Sequence, residues 1–76
     1  MKVNKKQGLL YIFNLLKDGK KISKEELMKE LQINEHSLWR YFQELRAFIA
    51  NFYLPYEIKY SRIEKAYYLI KNQFLN

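Results

Sequence analysis

The residue pattern predicts a mainly α-helical single domain in which three helices are followed by a small β-hairpin. Three features carry that expectation. Two helix-start signals stand close together, at Ser23 and Asn34. A long apolar seam of helical spacing runs from Leu38 to Phe52. After Pro55 the apolar period changes from helical to two, which is the spacing of a half-buried strand.

The first helix is read over about residues 5–18. Leu9, Ile12, Phe13 and Leu16 form an i, i+3, i+4, i+7 stripe, with Leu10 and Leu15 beside it, as an amphipathic helix requires. Gly19 ends it, because glycine enters the left-handed region without a Cβ penalty. Lys20, Lys21 and Ile22 are read as a bridge. The second helix, about 24–31, opens on the S-x-x-E capping box of Ser23 and Glu26, in which each side chain reaches the other's unpaired backbone N–H. Ile22 and Leu27 are spaced as a hydrophobic staple, and Leu27 with Leu31 marks the buried line. Asn34 is the next N-cap, with Ile33 and Leu38 as a second staple. Only the tight turn Gln32–Ile33–Asn34 is left between the two helices.

The third helix is read over about 35–53. Leu38, Phe42, Leu45, Ile49 and Phe52 alternate spacings of four and three and so line one face. At about 100° per residue, His36, Arg40, Gln43 and Ala47 fall opposite that seam. Trp39 and Arg46 lie on one flank, and Tyr41, Glu44 and Phe48 on the other. Pro55 stops the helix. Tyr56, Ile58 and Tyr60 then alternate with Glu57 and Lys59, and Ala66–Ile70 is a second β-prone run. With the charged loop 61–65 between them, they make a hairpin over about 56–70. The expected core is Leu9, Ile12, Phe13, Leu16, Leu27, Leu31, Leu38, Phe42, Leu45 and Ile49, with Tyr56, Tyr60 and Tyr67 as core rather than a stacking platform.

Composition bounds the function. Seventy-six residues make one domain, which removes only ~60% of its unfolded surface on folding. The absence of cysteine excludes a disulfide framework, a thiolate zinc site and thiol redox chemistry. No apolar run reaches the length of a membrane span and no signal peptide is evident, so the chain is read as cytoplasmic with no membrane partner. Catalysis is not expected. His36 is the lone histidine, Ser23, Ser37 and Ser61 have no base placed by a motif, and Gly8 and Gly19 are isolated, so no phosphate loop exists. Glu26 and Glu30 share a helix face, where Lys29 beside them suits solvation better than acid–base work. No cofactor or metal is expected. Fourteen basic residues against eight acidic ones leave a net charge of +6, which favours an anionic partner, nucleic acid first.

A short helix, a tight turn and a longer helix with an exposed polar face make a helix-turn-helix, and the added hairpin makes it winged. Lys21-Ile-Ser-Lys-Glu-Glu-Leu-Met-Lys-Glu-Leu-Gln-Ile-Asn34 resembles helix 2 and the turn of the DeoR-like winged-helix family. That family includes the N-terminal domains of biotin-repressor-like and WYL-domain regulators. Its recognition helix commonly reads S-x-R-T-I-x-R-D-I-x-x-L. Asn34, His36 and Ser37 stand here for its serine, first arginine and threonine, while Leu38, Arg40, Phe42 and Leu45 match in type. Ala66-Tyr67-Tyr68-Leu69 resembles the G-Y-x-L wing ending. The likeness covers about residues 8–70. Gln32 replaces the usual turn glycine, Tyr41 the acidic residue after the arginine, and Ala66 the wing glycine.

The resemblance implies a transcriptional regulator that binds double-stranded DNA, with the third helix in the major groove. Arg40 is then a guanine or phosphate contact and Gln43 an adenine or backbone contact. His36 and Ser37 sit at the family's contact positions, although His36 has an equal reading as an exposed residue without a role. Trp39 touches a base or packs on a neighbouring element. Lys21 and Lys24, with Lys20, lie at the start of the second helix, where backbone N–H groups favour phosphate. Arg62 and Lys65 on the wing tip are placed for a minor groove or flanking phosphates. Against DNA, Glu35 and Glu44 balance Arg40 and Arg46 within the third helix. The alternative is a winged helix that binds a protein partner, such as a phage-type inhibitor. A homodimer on DNA is also expected, with Phe74 and Leu75 as its contact.

Overall fold

The computed structural model describes residues 4–71. They form α1 (Lys5–Lys17), β1 (Ile22–Ser23), α2 (Lys24–Leu31), α3 (Glu35–Asn51), β2 (Tyr56–Ser61) and β3 (Ala66–Lys71). The three helices and the hairpin follow the expected order. The sheet departs from expectation. It has three antiparallel strands in the order β1-β3-β2, because Ile22, read as part of a bridge, and Ser23, read as a helix cap, pair with Tyr67 and Ala66. A two-residue strand has no measurable period, and its partner lies at the far end of the chain. The hairpin register runs from Tyr56 opposite Lys71 to Ser61 opposite Ala66.

Ser23 and Asn34 cap α2 and α3 as the sequence indicates, and Asn4, which the sequence pattern did not single out, caps α1 in the same way. Asn4 and Asn34 accept from the N–H groups of Gln7 and Ser37, each at 2.8 Å. Ser23 accepts from Glu26 at a longer 3.4 Å. The helix ends use left-handed residues. Gly19 has φ 82, but Gln32 (φ 54) and Tyr53 (φ 52) carry side chains there. Around Gln32 the N–H of Ile33 donates to Met28 O and that of Gln32 to Lys29 O, a Schellman closure. Tyr53 repeats it, with Leu54 N–H donating to Ile49 O. Gln32→Gly removes the Cβ penalty of this conformation. It is expected to raise stability by about 1 kcal/mol, read as a higher urea midpoint, and an unchanged or lower midpoint would contradict the strain.

The core gathers Ile12 and Leu16 of α1, Leu27 and Leu31 of α2, and Leu38, Tyr41, Phe42, Leu45 and Ile49 of α3, over Ile22 and Ile58 of the sheet. Eight of the ten residues expected inside are buried, and Leu9 and Phe13 are half-buried against that cluster. Phe52 is a correction. Its spacing continues the α3 seam, but the helix ends at Asn51 and the turn through Tyr53 carries Phe52 outward to 66% exposure. Tyr60 is a second correction, since it lies against Tyr67 with ring centroids 4.7 Å apart and stays exposed. Tyr56 and Tyr67 are half-buried. Tyr67 stacks on Phe42 at 3.8 Å, and burial raises its hydroxyl pKa above the ordinary value, with Tyr60 adding to the rise and Arg46 opposing it.

Tyr41, assigned to a flank, is buried because Gly8 of α1 lets it in. A Cβ built on Gly8 would meet Tyr41 Cε2 at 2.9 Å. Gly8→Ala therefore gains helix propensity but forces a buried ring to move. The expected outcome is a net loss of about 1–3 kcal/mol by overpacking. A thermal midpoint at or above that of the parent would show that the ring gives way freely. Tyr11 on the other side of α1 donates its hydroxyl to Glu30 of α2 at 2.8 Å. That hydrogen bond to the carboxylate raises the Tyr11 pKa, with burial adding to it.

Candidate nucleic-acid interface

The Gln32 turn ends α2 and the Asn34 cap starts α3 two residues later, so the two helices are set against each other by backbone geometry as well as by core packing. α3 buries Leu38, Tyr41, Phe42, Leu45 and Ile49. The opposite face is open: His36, Trp39, Arg40, Gln43 and Ala47 are all exposed. Trp39 is 55% exposed and lies stacked beside His36, with ring centroids 6.2 Å apart and planes 18° apart. Its alternative placement, packed under α2 or the hairpin, is not what this geometry supports. Ser37 is half-buried in the first turn, where its backbone N–H is held by Asn34. Lys5, Trp39, Arg40, Gln43 and Glu44 line a shallow groove along this face.

Ion pairs change the charge that α3 presents. Lys24 of α2 pairs with Glu35, and Lys5 of α1 pairs with Glu44. Both acids of the helix therefore have cations beside them from other elements. Arg40 has no ion-pair partner among the described residues. Residue spacing cannot reveal this, since each pair joins different helices. Chemically, the face offers donors in abundance: the Arg40 guanidinium fork, the Trp39 indole N–H and the Gln43 amide, which also accepts.

The lysines at the start of α2 are engaged. Lys21 donates to Glu64 of the hairpin loop at 2.8 Å, and this hydrogen bond raises its pKa above the usual lysine value. Its ammonium also lies 5.9 Å from the Tyr68 ring. The N–H of Lys24 donates to Lys65 O at 3.1 Å. The hairpin loop is thus fastened to the start of α2, and through the Lys24–Glu35 pair to the first residue of α3. Arg62 and Lys65 are exposed on that loop, and Lys65 sits at φ 52. Beside them Ile63 is 96% exposed. Within the charged loop 61–65, an isoleucine among charges is the local signal that sets Ile63 apart.

Elsewhere, Leu10, Phe48, Phe52 and Tyr53 are exposed apolar side chains, with Phe48 5.6 Å from Phe13 and 5.1 Å from Phe52. No helix among the described residues is long and apolar enough to cross a membrane. Among the same residues, no cluster of three or more His, Asp or Glu is placed to hold a metal ion. Phe74 and Leu75, expected as a dimer contact, lie outside the described residues.

No protein-family model, curated protein or solved structure matches this chain.

Proposed function

We propose that the chain is a winged helix-turn-helix that binds double-stranded DNA and regulates transcription in the cytoplasm. In this reading α3 enters the major groove, and the β2–β3 hairpin is the wing on flanking backbone or minor groove. One observation carries it. The outer face of α3 presents His36, Trp39, Arg40 and Gln43 together, while Glu35 and Glu44 are paired to Lys24 and Lys5. The zero net charge of the isolated helix therefore ceases to count against DNA. A net charge of +6 supplies the electrostatic attraction that steers association with phosphate.

The exposed Leu10, Phe48, Phe52 and Tyr53 favour a second reading, a winged helix that docks a protein. Selection of duplexes from a random pool separates the two. At about 0.15 M ionic strength, where non-specific attraction is weakened, the DNA reading expects one sequence to be enriched and Trp39 emission to change on binding it. Failure to enrich any duplex, with emission responding only to a protein partner, leaves the second reading.

A further inference from the structure

We propose that Ile63 is a wedge that enters the minor groove beside the α3 site and partly unstacks one flexible base step, bending the duplex. The inference rests on the DNA-binding reading and adds to it a mode of contact and a preferred flank. A single exposed apolar residue needs no explanation by itself. Ile63 differs in where it is held. It is 96% exposed in the four-residue loop between Ser61 and Ala66, the last pair of the hairpin, with exposed Arg62 and Lys65 close to it in the chain.

The loop is fastened from several sides. Glu64 N–H donates to Ser61 Oγ at 3.2 Å, Lys21 donates to Glu64 at 2.8 Å, and Lys24 N–H donates to Lys65 O at 3.1 Å. Lys24 in turn pairs with Glu35 at the start of α3. The tip is therefore tied to the helix that would read the major groove, so both can engage one duplex in a fixed relation. A tip that carries a branched apolar side chain next to Arg62 and two residues before Lys65, with the intervening Glu64 paired to Lys21, matches the minor groove, whose phosphate rims attract Arg and Lys and whose stacked bases accept an apolar wedge. Pyrimidine–purine steps unstack most easily, so the flank under the tip should prefer them.

The test uses the whole chain and the duplex recovered by selection, with 2-aminopurine replacing adenine at successive flanking positions and a donor–acceptor dye pair on the duplex ends. The wild type is expected to raise 2-aminopurine emission several-fold at one flanking step and to bring the ends closer. Ile63→Ser, exposed enough to leave the melting curve unchanged, is expected to bind only a few-fold more weakly while losing both signals and the flank preference. Arg62→Ala should weaken binding on every sequence yet keep the emission rise in the complex that forms. Binding by the wild type with no emission rise at any position, or an Ile63→Ser protein that matches the wild type, overturns the wedge and leaves the DNA reading standing. No duplex binding by the wild type in an anisotropy titration overturns both.

Discussion

Replacing Phe42 by alanine is expected to destabilise the domain by about 3–5 kcal/mol. Phe42 is 1% exposed, lies in the buried cluster of all three helices, and stacks on Tyr67 of the central strand. Its removal therefore opens a cavity between the helical layer and the sheet. Only part of that cavity collapses, because the Phe42 position is shared by elements held in place by their own hydrogen bonds. The loss is a large share of the ~5–15 kcal/mol typical of a whole domain. Far-UV circular dichroism in urea should show a much lower midpoint or an unfolded baseline. Trp39 is a poor reporter here, since it is already 55% exposed. An unchanged midpoint would show that Phe42 does not join the two layers.

Replacing Arg40 by alanine is expected to weaken the complex with the selected duplex by about 1–3 kcal/mol. A contact to guanine O6 and N7 flattens the preference for that site over a scrambled one. A contact to phosphate lowers affinity on both alike. Lys65→Ala provides the comparison, with a uniform loss and a salt slope lower by about one. Arg40 is the sharper test because it has no ion-pair partner among the described residues, so its substitution leaves no internal carboxylate unbalanced. Titrations of each variant at several salt concentrations decide the matter. If Arg40→Ala binds both duplexes as the wild type does, α3 does not read DNA, and the exposed aromatic surface becomes the better guide.

Local chemistry alone determined the helices and the hairpin. Caps act through the side chain of one residue on backbone groups three residues away, and periodicity needs only a few turns, so Ser23, Asn34, Gly19 and the α3 seam were legible in order. Gln32 was legible as a departure, a side chain where a turn favours glycine, and its φ of 54 shows the turn accepting the left-handed conformation rather than reshaping. The polar face of α3 followed from the same arithmetic. What lay beyond the sequence depends on contacts between distant residues. The β1 pairing needs a partner strand at the other end of the chain, and the burial of Tyr41 needs the gap at Gly8. Phe52 continued the seam by spacing, but the backbone turned before the side chain could use it. The charge of the α3 surface was likewise a tertiary property. Counting residues within the helix balances Glu35 and Glu44 against Arg40 and Arg46, whereas folding brings Lys24 and Lys5 to the two acids. Spacing along one element says which side chains share a face, but only packing between elements decides which of their charges remain uncompensated.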